Sequence, residues 1–135
     1  MPEETGESEP VYLDLDDALE LYALIIGGTT AQAGDQLRDR GGLESALGRP
    51  RNYALYQDAD LALQAAALAH GIAESQTFLD ANKRLALVAM LTFLEVNGSR
   101  VEATDPELAG WILDLAAGTT PEQLADGIRQ RLTPA

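Results

Sequence analysis

The chain has 135 residues, with nine Lys or Arg against 22 Asp or Glu, so its formal net charge at pH 7 is −13. The length predicts one domain, and a hydrophobic fraction of 46% is enough for a core. The absence of cysteine excludes disulfides and thiol catalysis, and no run of residues approaches the roughly 18 apolar residues of a membrane span. The acidic balance argues against direct nucleic-acid binding and against a membrane surface, because both require a basic surface. We therefore expect a cytoplasmic protein with protein or small-molecule partners.

The N-terminal residues differ in composition from the rest of the chain. Residues 1–10 contain four glutamates and two prolines but almost nothing apolar. Such a segment cannot bury enough apolar surface to offset its conformational entropy. The sequence therefore predicts a disordered acidic tail over residues 1–10 and a single folded domain over residues 11–135.

The first part of the domain is predicted to hold one long helix and one short helix. Apolar residues at three- and four-residue spacing predict a helix over 14–26, capped by Asp14 or Asp16 and ended by the glycine pair that follows. Residues 29–40 are polar with weak periodicity and are predicted to form a loop. A short helix is predicted over 41–50, ended by its last glycine and its proline.

Two alanine- and leucine-rich segments are predicted to be the central helices of the domain. They cover residues 58–74 and 82–96, and both are apolar on nearly every side. A helix of this kind is typical of the interior of a protein rather than of its surface. The second helix is predicted to end at Asn97-Gly98.

The C-terminal part is predicted to contain two further helices. Asp105, followed by proline and glutamate, predicts one helix start, and Thr120 with Gln123 predicts another through a capping box. The last helix is predicted to run to about Leu132, and a short extended piece is predicted over 100–102. No strand pair is convincing. The fold class is therefore predicted to be all-α, a single bundle of about six helices whose buried central pair flanks a polar loop.

The polar loop between the central helices has an unusual charge placement. Lys83 and Arg84 lie in the first turn of the second central helix, where the helix dipole disfavours each cation by about 0.3–1 kcal/mol. The placement predicts an anion held by the backbone N–H groups of Ala81, Asn82 and Lys83, with the Asn82 amide adding a donor. Asp80 would hold Mg²⁺ on bound phosphates. In the alternative interpretation, Asp80 caps the helix and the two cations pair with neighbouring acids.

The loop also carries a family signature. The run Gln76 to Arg84, QTFLDANKR, resembles the Fic/Doc signature H-x-F-x-[DE]-[GA]-N-[KG]-R, and especially the Doc ("death on curing") toxins of bacterial toxin–antitoxin systems, which read N-K-R at the late positions. The segments GLESAL, AALAHGIA and FLEVNG also resemble Doc sequences in order and spacing. The resemblance covers roughly residue 11 to the C-terminus and implies a Fic/Doc-like helical bundle that binds ATP with Mg²⁺.

The resemblance implies a kinase-like transferase. Doc toxins transfer the ATP γ-phosphate to a threonine of elongation factor Tu and block translation, whereas Fic relatives transfer AMP to protein hydroxyls. The implied partners are a cognate antitoxin and elongation factor Tu. By position, Asp80 would serve the metal, Asn82 the phosphates, and Lys83 and Arg84 the charge of the transferred group. Leu87 stands where the AMP-transferring branch usually has a second arginine, which favours the Doc branch.

Gln76 departs from the signature, which has histidine at this position as general base or hydroxyl-positioning group. A glutamine amide cannot accept a proton near neutral pH, and loss of a general base typically costs about 10²–10⁴ in rate. His70 lies six residues upstream and is predicted to be a packed or hydrogen-bonded structural residue. We therefore expect the chain to be inactive as it stands.

The origin of Gln76 and the reaction type stay open at this point. Gln76 is either introduced, or a spontaneous change selected during cloning, or natural in an altered homologue, and a disarmed toxin is the working hypothesis. The alternative functions are AMP transfer to a protein hydroxyl and a non-catalytic homologue that binds its antitoxin. Arg49 and Arg51 either add charge near the phosphates or are solvated surface residues.

Overall fold

The computed structural model describes residues 9–135, which form seven α-helices and one pair of short β-strands. The helices are α1 (Leu15–Ile26), α2 (Thr30–Asp35), α3 (Arg40–Gln57), α4 (Leu61–Glu74), α5 (Asn82–Val96), α6 (Asp105–Ala116) and α7 (Pro121–Arg129), and the strands are β1 (Ser99–Val101) and β2 (Leu132–Pro134). The all-α prediction is confirmed. The predicted tail lies, except for its last two residues, outside the described residues. No helix within 9–135 has both the length and the apolar character needed to cross a membrane.

Helices α4 and α5 form the centre of the bundle, as their composition predicts. Nearly all of α4 between Ala62 and Ile72 is buried, including the polar Gln64. Helices α3 and α7 pack on α4, α1 packs on α5, and α6 contacts both. The many alanines of α4 allow several helices to approach its backbone, so α4 and α5 hold the loop between them in a fixed position.

Helix α2 lies in the segment that was predicted to be a loop. Thr29 caps it and accepts the backbone N–H of Gln32, whose side chain accepts the N–H of Thr29 in return. This capping box satisfies donors at the start of a short helix. Its periodicity is weak because Ala33 alone among its residues is buried, and the loop prediction was therefore wrong here.

Helix α3 is longer than predicted. It runs for 18 residues, through Pro50, where the sequence predicted its end. A proline inside a helix removes one hydrogen bond and costs about 3 kcal/mol. The cost is offset because Leu43, Ala46, Leu47 and Pro50 itself are all buried, so packing against α4 overrides the local signal.

The C-terminal residues also differ from the prediction. The last helix ends at Arg129, and Leu132–Pro134 pairs antiparallel with Ser99–Val101. The extended piece was predicted near the place of β1, but its partner strand was not, because a three-residue strand has no readable alternation. At α6 the cap is Thr104 rather than Asp105, since Thr104 and Glu107 form a capping box. The box predicted at Thr120 is present.

Candidate functional site

The loop between α4 and α5 is fixed by its buried aromatic residue. The Phe78 ring is fully buried and stacks on Tyr22 of α1, with ring centroids 3.8 Å apart and planes 9° from parallel. The backbone of Phe78 also forms an isolated antiparallel bridge with Leu37, which lies between α2 and α3. The carbonyl of Thr77 accepts the N–H of Arg38 at 2.7 Å. The loop is thus attached both to α1 and to the segment before α3.

Tyr22 adds a polar contact beneath the loop. Its hydroxyl oxygen lies 2.8 Å from Oε1 of Gln36 and 3.0 Å from the carbonyl oxygen of Asp80. Burial raises the pKa of the Tyr22 hydroxyl, and the negative charge of Asp80 raises it further. The hydroxyl therefore keeps its proton at neutral pH and remains a donor to the loop.

The side chain of Asn82 holds the loop together. Its Oδ1 accepts the Thr77 hydroxyl at 3.1 Å and the Phe78 N–H at 3.0 Å, while its Nδ2 donates to the Phe78 carbonyl at 3.0 Å. The sequence assigned this amide to phosphates. In the structure its three hydrogen bonds serve the loop, and one amide proton has no acceptor among the described residues.

The first turn of α5 leaves backbone donors free. Ala81 precedes the helix with a left-handed φ of 64°, and no side chain caps the helix. The carboxylate of Asp80 accepts the N–H of Ala81 itself at 2.7 Å, so Asp80 is not the cap that the alternative interpretation required. The N–H of Ala81, which the sequence predicted as a donor to the anion, is thus already engaged, whereas the N–H groups of Asn82, Lys83 and Arg84 have no acceptor within residues 9–135. Three donors with the positive end of the helix dipole are suited to an anion.

All six predicted site residues line one cavity of about 490 Å³ in front of this turn. Its lining residues are Ala73, Gln76, Leu79, Asp80, Ala81, Asn82, Lys83 and Arg84. The side chains of Lys83 and Arg84 are exposed, and neither forms an ion pair with a carboxylate in the described part of the chain. The structure therefore brings the predicted residues together and leaves both cations available.

The metal that Asp80 was predicted to hold would need ligands from elsewhere. Among residues 9–135 there is no group of three or more His, Cys, Asp or Glu side chains arranged to hold an ion. One carboxylate oxygen of Asp80 is engaged by the Ala81 N–H. Mg²⁺ commonly binds one or two carboxylates together with water and phosphate oxygens. The donor set thus fits a metal brought with a nucleotide rather than a separate metal centre.

A second cavity of about 350 Å³ adjoins the first and was not predicted from the sequence. It shares Ala73, Gln76 and Lys83 with the first cavity, and its further lining residues are His70, Glu74, Leu115, Ala116 and Gly118. Its wall is completed by the C-terminal end of α6. No local sequence motif predicts such a cavity, because it depends on how α6 packs beside α4 and α5.

His70 lies in this second cavity as part of a polar cluster. Its Nδ1 is 3.1 Å from Nη1 of Arg49, and its Nε2 is 3.5 Å from Oε2 of Glu74. Because a guanidinium can only donate, Nδ1 accepts, and a neutral imidazole then carries its proton on Nε2. This agrees with a hydrogen-bonded structural histidine. Arg49 therefore lies beside the site, whereas Arg51 stacks on Tyr12, 4.8 Å from the ring centroid.

Comparison with known proteins gives two matches. The model of the Fic/DOC family matches residues 12–94, which include the loop and both central helices. The protein named Toxin Doc from Mycolicibacterium smegmatis (strain ATCC 700084 / mc(2)155) is 36% identical over 94 residues, which is 68% of this chain and 68% of that protein.

Proposed function

Because the chain belongs to the Fic/DOC family, we propose that it is the toxin of a bacterial toxin–antitoxin pair, with a cognate antitoxin as its partner. Its reaction is transfer of the ATP γ-phosphate to a threonine of elongation factor Tu, which blocks translation. One observation carries the chemical part of the proposal. At the start of α5, backbone N–H groups and two cations that have no partner among residues 9–135 face one cavity, as a site for a polyphosphate requires.

The residues of the loop and of the first turn of α5 would bind different parts of ATP and its metal ion. The backbone N–H groups of Asn82, Lys83 and Arg84 would donate to phosphate oxygens, and the Lys83 and Arg84 side chains would neutralise their charge. Asp80 would hold Mg²⁺, which would neutralise phosphate charge when bound. Asn82 keeps the loop in shape through its bonds to Thr77 and Phe78, so its contribution is largely to preorganise the other donors.

Transfer of the γ-phosphate is favoured over AMP transfer. Leu87 lies one turn beyond Arg84, where the AMP-transferring branch usually has a second arginine. In the structure Leu87 lines an apolar cavity of about 250 Å³ with Ile112 and Leu113 and adds no charge to the phosphate site. Gln76 cannot serve as general base, so the signature position does not supply one in the chain as it stands.

The decisive experiment restores the signature residue. Gln76→His is incubated with Mg²⁺, elongation factor Tu and ATP labelled at either the α or the γ position. We expect the γ label on elongation factor Tu at a higher rate than with the unaltered chain, and no α label. Gln57→His, at an exposed position at the end of α3, is the matched control and should change nothing. Transfer of the α label would establish AMP transfer instead.

Nucleotide binding is tested separately through thermal stability. Mg-ATP should raise the melting temperature of the unaltered chain, and Lys83→Ala or Arg84→Ala should reduce that rise while Arg100→Ala, on β1, should not. The absence of any rise would contradict the anion site. If neither the unaltered chain nor Gln76→His shows transfer, and neither arrests growth when expressed without its genomic neighbour, the non-catalytic antitoxin-binding alternative is correct.

A further inference from the structure

Glu74 is the carboxylate that the second cavity brings beside Gln76. It is the last residue of α4, its side chain is 58% exposed, and it lines the cavity together with Gln76 and Lys83. The two cavities contain one carboxylate each among the residues that line them, Asp80 in the first and Glu74 in the second. Glu74 is therefore free of the metal-binding role proposed for Asp80.

Two side chains orient this carboxylate without saturating it. Nη2 of Arg49 lies 3.4 Å from Oε1 of Glu74, and Nε2 of His70 lies 3.5 Å from Oε2. Both distances exceed the roughly 2.7–2.9 Å of a tight charge-assisted hydrogen bond. The carboxylate is thus held in the cavity by Arg49 and His70, while lone pairs on both oxygens remain able to accept a proton.

His70 itself is not available for this purpose. Its Nδ1 lone pair is directed to Arg49, and its Nε2 proton faces Glu74. Both ring nitrogens are therefore engaged in positioning its neighbours. Gln76 has no basic atom. Among the residues that line the second cavity, Glu74 alone has a carboxylate that can accept a proton.

We propose that the second cavity receives the hydroxyl-bearing side chain of the acceptor protein and that Glu74 accepts its proton, in place of the histidine that the family signature has at the position of Gln76. The inference rests on the phosphoryl transfer proposed above. Ala73, Gln76 and Lys83 border both cavities, so a hydroxyl that enters through the second cavity meets a phosphate bound in the first at the Lys83 side. Arg49 and His70 act as positioning residues.

The proposed step forms one bond to phosphorus, breaks another and passes one proton to a carboxylate. The acceptor oxygen forms a bond to the γ-phosphorus of ATP, and the bond from that phosphorus to the β–γ bridging oxygen breaks, with its electron pair leaving on ADP. The hydroxyl proton moves to Glu74 and from there to water. Phosphoryl transfer depends mainly on positioning and charge neutralisation, and protein kinases use an aspartate for the same proton.

The test measures labelling of elongation factor Tu from γ-labelled ATP and Mg²⁺. In the unaltered chain we expect Glu74→Gln to lower the rate about 10²-fold or more, Glu74→Asp to retain part of it, and the exposed control Glu95→Gln to change nothing. In a chain that carries Gln76→His, Glu74→Gln should have little effect, because the histidine supplies the base. The rise in melting temperature with Mg-ATP should be the same in all variants.

The pH dependence gives a second measurement. Between roughly pH 6 and 8 the rate with Gln76→His should rise as the introduced histidine loses its proton, and the unaltered chain, which has glutamine at this position, should lack that rise. An unchanged rate for Glu74→Gln, or no transfer by the unaltered chain while Gln76→His is active, overturns the role of Glu74 and leaves the proposed function standing. No transfer by either chain overturns both.

Discussion

The backbone of Ala81 turns through a left-handed conformation immediately before α5, with φ at 64°. For a residue with a Cβ atom, this conformation costs about 1–2 kcal/mol. The turn leaves the first N–H groups of α5 uncapped and directed at the cavity that Lys83 and Arg84 line. Backbone strain is found at binding sites where the surrounding structure enforces it, and here the stacked Phe78 and the bonds of Asn82 enforce it.

Replacing Ala81 with glycine should relieve this strain. A glycine adopts the left-handed region freely, although it also adds about 0.4–1 kcal/mol of freedom to the unfolded chain. We expect Ala81→Gly to raise the free energy of unfolding by up to about 1 kcal/mol, measured by urea denaturation. Ala109→Gly, at an exposed position inside α6, is the control and should lose about 0.5–1 kcal/mol. Equal losses in both variants would contradict the argument.

The residues of the site were predictable, but several of their contacts were not. Asp80, Ala81, Asn82, Lys83 and Arg84 are consecutive, so a loop that ends in a helix necessarily gathers them. The bonds of the Asn82 side chain to the residues four and five positions before it depend on the loop dihedrals, which the sequence does not display. The cluster at Glu74 was missed for a different reason, because Arg49 reaches it from another helix.

At the scale of elements, the prediction succeeded where one periodic signal decides the structure. The bounds of α5 match the predicted 82–96, and α4 differs mainly at its start, where Asp60 rather than Asp58 precedes the first turn as its cap. It failed where packing opposes local preference. Helix α3 contains glycines and Pro50 and would not be stable alone, yet its buried face on α4 extends it to Gln57.

Helices α3 and α4 approach each other closely at Gly71. A Cβ atom placed there would lie 3.1 Å from Cβ and 3.2 Å from Cα of Ala46, and 3.2 Å from Cδ of Arg49. The Cα atom belongs to the backbone and cannot move aside without shifting α3. The missing side chain at position 71 therefore allows Arg49 to reach His70 and Glu74 in the polar cluster.

Gly71→Ala should force the two helices apart. Overpacking of this kind typically costs about 1–3 kcal/mol, which urea denaturation would measure. Gly48→Ala is a matched control in α3 itself, because nothing lies within 4 Å of a Cβ atom at that position, and it should be stabilising by about 0.4–1 kcal/mol. If Gly71→Ala does not lower the free energy of unfolding relative to Gly48→Ala, α3 adapts to the added methyl group and the contact at Gly71 is not restrictive.

At the scale of the whole molecule, the net charge of −13 does not show where the cations lie or which of them form ion pairs. Arg40, Arg49, Arg100, Arg129 and Arg131 form ion pairs, and Arg51 stacks on Tyr12. Within the described residues, the cations without such a partner are Lys83 and Arg84 at the first cavity and Arg38, whose backbone N–H holds the loop. Lys83 and Arg84, side by side at the first cavity of an otherwise acidic molecule, therefore concentrate its attraction for anions there.

Two of the paired arginines attach the C-terminal part to the bundle and determine how it responds to acid. Nε of Arg129 lies 2.7 Å from Oδ2 of Asp60 at the start of α4, and Nη2 of Arg131 lies 2.6 Å from Oε2 of Glu107 in α6. The hydrogen bond from Arg129 lowers the pKa of Asp60, and that from Arg131 lowers the pKa of Glu107 from 4.5 to about 2. A carboxyl whose pKa is lower in the folded state stabilises the fold above its unfolded pKa and loses that contribution as the pH falls.

Glu107→Gln isolates the second of these pairs. Glutamine preserves the capping box with Thr104, as Gln123 does with Thr120 in α7, so the variant loses the charge while keeping the cap. Its melting temperature should lie below that of the unaltered chain at pH 7. The difference should close as the pH falls from about 4.5 to about 2, because over that range the Glu107 carboxyl is protonated in the unfolded chain before it is protonated in the folded one. The exposed Glu122→Gln in the first turn of α7 should show no such closing difference, and a difference for Glu107→Gln that persisted below pH 2 would mean that the ion pair is not its source.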